Sequence, residues 1–200
     1  MRPRTDRAEL EKYHEGLIVC SACLGGEVPR RITAGQFEEA EEAIRWYKNL
    51  FGDDYYLELQ RHKATVARAN HEVYPMQQVV NEKLIEYAKK YNIKLVCTND
   101  VHFVDEENAE AHDRLICLST GKDLDDPNRM LYTKQEWMKT KAEMNELFCR
   151  CSRSAFQYTG DFGQGGILLH RPCSYHANFC HSRRFRNGRG IQAEIYGKRF

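Results

Sequence analysis

Residues 93–102 read IKLVCTNDVH, an apolar run from Ile93 to Cys97 followed at once by a polar stretch containing Asp100 and His102. An apolar run this short, bounded by polar residues, suits a buried strand. Upstream, 71–91 has helical periodicity, with Val79, Val80, Leu84, Ile85 and Ala88 expected to face inward. Before it, Tyr55–Leu59 is a second apolar run, ending in Gln60, Arg61 and His62. Earlier still, Ala40, Ile44, Tyr47 and Leu50 recur at helical spacing over 37–51, and Gly52-Asp53-Asp54 stops that helix. Leu17–Cys20 is a third apolar run, ending in the loop Ser21-Ala22-Cys23-Leu24-Gly25-Gly26. Further helices are expected over 6–16, 106–118 and 134–148. Short strands alternating with helices of this length imply βαβ units, hence an α/β fold with a parallel sheet or barrel.

Two hundred residues can bury a core and fit one domain or slightly more. No apolar run approaches the roughly 18 residues a membrane helix needs, and the N-terminus lacks the apolar segment of a signal peptide. A spanning protein is therefore excluded and a cytoplasmic location expected. Eight cysteines in such a chain point to thiols or metal ligands before disulfides.

The net charge of +1 conceals a break. Residues 149–200 hold nine Lys and Arg against two Asp and Glu, whereas the first 148 residues hold 21 against 27. Half of the cysteines and seven of the thirteen glycines also fall after Phe148, with no sustained period. The chain thus divides into a body, 1–148, and a tail, 149–200, expected to be irregular.

In the body, polar residues follow each strand: Cys23 the first, His62 the second, Asp100 and His102 the third. In parallel α/β folds the carboxyl ends of the strands open on one face, where sites form. A thiol, two imidazoles and a carboxylate converging there are suitable ligands for a divalent metal such as zinc, manganese or iron. Taken singly, each has an ordinary explanation: Cys23 as a small buried residue, His62 as a solvated one, Asp100-x-His102 as a common pair. Their placement at successive strand ends makes the joint case. Cys23, Asp100 and His102 are expected to point into one cleft, with His62 at its rim.

Four segments, GLIVCSACLGGEVPRRI at 16–32, YYLELQRH at 55–62, KLVCTNDVHFVDEENAEAHDRLICLSTGKDLDD at 94–126 and AEMNELF at 142–148, resemble the PHP (polymerase and histidinol phosphatase) region of bacterial DNA polymerase III alpha subunits. The resemblance covers about three quarters of the chain. It implies a partial distorted βα barrel with metals held at the strand carboxyl ends. Cys23, Asp100 and His102 match ligand positions of that family, and His62 lies beside them at a position that varies. In the intact family as many as three metals are held by up to nine residues. The opening His-x-His motif and the middle ligands are not present here, nor are the polymerase carboxylates. The resemblance therefore implies a fragment of a protein that synthesises DNA and works with DNA and other replicase subunits. The PHP region would be either a metal-dependent phosphoesterase (a 3′–5′ exonuclease) or a structural platform, and the fragment alone is expected to be inactive.

Within the tail, Cys149, Cys151, Cys173, His176, Cys180 and His181 suggest zinc ligands, and Arg183, Arg184, Arg186 and Arg189 a nucleic-acid patch. The spacings do not support a zinc module: Cys-x-Cys is too tight for a finger knuckle, and Cys173 and His176 have no regular partner pair. Reading the tail one nucleotide later, with permitted codons, gives an acidic stretch beginning ADVPEALSNTLEILDKV, which resembles the family's continuation after NELF. A one-nucleotide insertion near the Phe148 codon is the inference, leaving the tail's Cys and Arg as products of a shifted frame. The rival readings are a non-catalytic remnant with open strand edges and a basic Cys/His nucleic-acid binder built on the tail.

Overall fold

The computed structural model describes residues 5–148 and the backbone of 179–181. Asp6 accepts a hydrogen bond from the Glu9 N–H at 3.0 Å and so caps α1 (Arg7–Tyr13). Then follow β1 (Leu17–Cys20), α2 (Glu27–Thr33), α3 (Phe37–Phe51), β2 (Tyr55–Leu59), α4 (Val73–Tyr91), β3 (Lys94–Cys97), α5 (Ala109–Thr120) and α6 (Lys141–Phe148). A last short strand, β4, spans Phe179–His181.

β1 pairs parallel with β2, and β2 parallel with β3, so chain order and spatial order agree. α3 and α4 share one core with the Tyr55, Leu57 and Leu59 face of β2 and so lie on the same side of the sheet, the arrangement that right-handed crossovers give when sequential strands are neighbours. The α/β fold with its small parallel sheet agrees with the expectation. β4 adds antiparallel to the free edge of β1, with Ile18 opposite Cys180. The rest of the tail, and with it the expected irregular structure of 149–200, lies outside the described residues.

The core forms where the helices meet the sheet. β2 sends Tyr55, Leu57 and Leu59 into it and Glu58 to the opposite face, the two-residue period of a strand. Ala40, Ala43, Ile44 and Phe51 arrive from α3; Val80, Leu84, Tyr87 and Ala88 from α4; Met144 and Phe148 from α6.

Two sequence expectations are corrected. Lys134–Phe148 is not one helix: only 141–148 is helical. Thr140 starts it, accepting from the Glu143 N–H at 3.3 Å while its own N–H donates to Glu143 Oε2 at 2.7 Å, a reciprocal cap. Lys134 takes a left-handed φ of 64°, and the backbone of 135–138 bonds across to 99–104 instead of to itself. Val79 faces solvent, because α4 buries the stripe through Gln77, Val80, Asn81 and Leu84. Helix α2, which follows the Ser21–Gly26 loop and has no counterpart among the sequence expectations, buries Val28 and Ile32.

Candidate functional site

At the carboxyl ends of β1, β2 and β3 lies a layer of buried polar side chains. Ser21 Oγ accepts from the Glu58 N–H at 2.8 Å. Thr98 donates its hydroxyl to Glu58, Gln60 Nε2 donates to Glu58 Oε1 at 3.1 Å, and Asn81 Nδ2 donates to the Gln60 carbonyl at 2.9 Å. Each group comes from a strand end or from α4, so the sheet register positions the layer.

Above it opens a cavity of about 190 Å³ whose polar wall includes Cys23, His62, Asp100, Tyr132 and Glu136. The loop after β1 delivers Cys23 through a tight turn in which Gly26 N–H donates to the Cys23 carbonyl at 2.8 Å. A Cβ on Gly26 would sit 2.2 Å from the Ser21 carbonyl oxygen, so no other residue fits there without moving backbone. Ala22 and Asp100 both hold left-handed φ values, 65° and 40°. Aspartate tolerates that region and alanine does so at a cost, so the two loops bearing cavity residues are both bent away from ordinary strand exits.

The structure brings Cys23, His62 and Asp100 to this cavity. His102 stands beside it rather than on its wall. Its Nε2 lies 3.8 Å from Asp100 Oδ1, and its ring packs edge-on against Tyr132 with centroids 4.8 Å apart, near His112 at 5.5 Å. The adjacent His102 imidazole holds the Asp100 carboxyl below the usual range, and Asp100 in turn raises His102. Burial pushes the Cys23 thiol up, with the charges of Asp100 and Glu58 adding to the effect.

His62 is a buried part of the wall, not an exposed rim residue: it is 3% exposed. Its N–H donates to Gln77 Oε1 at 2.7 Å, Gln77 Nε2 stands 2.9 Å from its Nδ1, and its Nε2 stands 3.1 Å from the Asn99 carbonyl. An amide nitrogen donates and a carbonyl accepts, so Nε2 carries the proton and Nδ1 the occupied lone pair. Burial lowers its pKa, consistent with a neutral ring. Ligation by His62 would require breaking one of these bonds.

The opposite wall is a strap, 121–140, that sequence reasoning missed. Asn99 Nδ2 donates to the carbonyls of Gln135 and Trp137, His102 N–H donates to the Glu136 carbonyl, and Met138 N–H donates to the Val104 carbonyl at 3.1 Å. A buried two-pronged ion pair between Arg129 and Asp113 fastens the strap to α5; Nη2 and Oδ2 are 2.9 Å apart. The strap contributes Tyr132 and Glu136. The available signal was Thr133-x-x-Glu136, the spacing of a reciprocal cap, obscured by reading the whole segment as helix.

The donor chemistry of Cys23, Asp100 and His102 suits a divalent cation, and no Lys or Arg is among the residues lining the cavity. Among the described residues, however, no group of three His, Cys, Asp or Glu could hold a metal ion by itself. The arrangement fits a cation in kind but not in number of ligands. No described helix is long and apolar enough to cross a membrane.

Residues 1–62 match the family model of the PHP domain. The chain is 44% identical over 148 residues to DNA polymerase III subunit alpha of Borreliella burgdorferi, a match covering 74% of this chain and 12% of that protein. It is 38% identical over 157 residues to the Campylobacter jejuni subunit, covering 73% and 12%. With the Thermus aquaticus subunit it shares 36% identity over 147 residues, covering 73% and 11%. The chain thus spans about one eighth of the length of these relatives. It carries a stretch of PHP domain and is related, over about three quarters of its residues, to the alpha subunits of bacterial DNA polymerase III.

Proposed function

We propose that this chain is the second half of the PHP domain of a replicative polymerase alpha subunit, followed by a tail translated in a shifted frame. In the intact parent, which would synthesise DNA together with other replicase subunits, Cys23, Asp100 and His102 would help hold divalent metal. His62 would shape the wall rather than ligate. A bound metal would supply Lewis-acid activation of water and neutralisation of phosphate charge for phosphodiester hydrolysis. The roles of this chain's own residues are narrower. Asp100 offers a carboxylate kept ionised by His102, and Cys23 offers a thiol that a cation must deprotonate to bind. The buried Glu58–Gln60–Thr98 layer fixes the floor beneath them.

The observation that carries this reading is the meeting of Cys23 and Asp100, from two strand ends, on one cavity that lacks a complete ligand set. On that ground the chain alone is expected to be non-catalytic, since hydrolysis needs a complete and rigidly supported metal shell. The experiment is sequencing of the gene through the Phe148 codon, combined with metal analysis of this chain and of a frame-corrected, upstream-extended protein. A single-base insertion, with metal bound stoichiometrically only by the restored protein, supports the proposal. An uninterrupted frame refutes the shifted tail. Equal metal content in both proteins refutes the incomplete site.

A further inference from the structure

The two edges of β1 are bonded in different ways. Its inner edge pairs parallel with β2, Val19 opposite Tyr55 and Cys20 opposite Tyr56, and the ladder runs on to Ser21, whose N–H donates to the Tyr56 carbonyl at 3.0 Å. The outer edge meets β4, and there the direction reverses: Leu17 stands opposite His181, Ile18 opposite Cys180 and Val19 opposite Phe179. Among the described residues, β4 is the strand that borders this edge.

The sequence of β1 says what the edge would do if uncovered. An unpaired edge presents a row of N–H and C=O groups that templates another strand, and proteins blunt it with lysine, proline or a bulge. β1 reads Leu-Ile-Val-Cys, with neither charge nor proline. β3, at the far end of the sheet, opens with Lys94. Nor can β1 turn away: Val19 is 5% exposed in the core, and Leu17 packs against that core. Ile18 points to the other face of the sheet and is half-buried. The edge is apolar and fixed, and covering it falls to β4.

The pairing also identifies the competitor. A strand that accepts an antiparallel neighbour in this register can accept its own copy. With Ile18 on a two-fold axis, Leu17 of each copy would stand opposite Val19 of the other. An antiparallel ladder between identical strands is self-complementary, so it closes as a dimer instead of growing.

We propose that β4 is an intramolecular guard of the β1 edge, and that its release lets two copies of this chain join β1 to β1 in one continuous sheet. Backbone bonds carry the guard, so a tail in a shifted frame needs no selected side chain to serve. Cys23, Asp100 and His102 take no part, so the guard and the metal reading fail separately.

The test keeps the whole 200-residue chain. Ile18→Cys is oxidised and its disulfides are mapped by mass spectrometry. Opposed residues of an antiparallel pair have Cα atoms roughly 4.5–5.5 Å apart, within disulfide range, so position 18 should bridge to Cys180 in the monomer. Molar mass is then measured by light scattering at micromolar concentration with reductant present. Wild type should be monomeric. Cys180→Pro with His181→Pro removes N–H groups at adjacent positions, which point to opposite sides of the strand, so the ladder loses a donor in either phase. The proline variant should double in mass with an unchanged helical circular dichroism. Adding Ile18→Cys to it and oxidising should bridge position 18 to position 18 of the second copy. Absence of the bridge to Cys180, a wild-type dimer, a proline variant that stays monomeric, or a proline-variant dimer that does not bridge through position 18 would each overturn the proposal.

Discussion

Arg129 and Asp113 face each other as a two-pronged ion pair with both side chains at most 5% exposed, and this contact, with the Lys134–Glu110 pair, ties the strap over the cavity to helix α5. Burial raises the Asp113 carboxyl, but the guanidinium outweighs it and holds the group below its ordinary value. Lys134 adds a more distant positive charge, 3.9 Å from Asp113 Oδ2. The strap carrying Tyr132 and Glu136 thus depends on a charge pair whose two members lie 16 residues apart.

Removing only the guanidinium should therefore be severe. Arg129→Met leaves a buried carboxylate without its main partner, and a loss of about 3–5 kcal/mol is expected. The double replacement Arg129→Met with Asp113→Leu removes both charges and should cost much less. Urea denaturation of the two proteins measures the difference; equal losses would contradict the pairing.

The loop that delivers Cys23 should be intolerant at one glycine and tolerant at its neighbour. Gly26→Ala drives a Cβ against the Ser21 carbonyl and should cost about 1–3 kcal/mol. Gly25→Ala meets nothing closer than Cys23 Sγ at 3.8 Å and should stay within about 0.5 kcal/mol. Thermal melts of the pair report this directly.

His62 predicts an acid-side loss of stability. Its folded pKa lies below the unfolded value of about 6.5, so the unfolded chain binds more protons between the two. Its contribution is fully present above about pH 6.5 and is lost as pH falls through the folded value. His102, raised by Asp100, acts with the opposite sign: its contribution is present below about pH 6.5 and is lost as pH rises through its folded value. Denaturation against pH for His62→Gln and His102→Gln separates them, the first flattening the decline below about pH 6.5 and the second removing the loss that sets in as pH rises above about 6.5.

Core and surface leucines should differ as burial dictates. Leu57, fully buried on β2, should cost about 2–5 kcal/mol on truncation to alanine. Leu118, 81% exposed on α5, should cost no more than about 0.5 kcal/mol. Chemical denaturation of Leu57→Ala and Leu118→Ala provides the check.

Short-range pattern determined much of this protein. The apolar runs at 17–20, 55–59 and 94–97 and the helical spacing of 37–51 and 73–91 are local properties, and the parallel order follows because strands joined by helices of that length cannot form hairpins. Cys23 and Asp100 were legible as cavity residues for the same reason: each directly follows a strand, and parallel strands end on one face. Contacts between distant segments decided the rest. His62 became a buried, doubly bonded wall residue because Gln77 and Asn99 happen to flank it. Residues 134–140 left the helix that their composition favours because the loop 99–104 offered their backbone partners outside the segment. Glu136 reached the cavity by the same route, since no local period records which strap a buried ion pair will fold across a sheet.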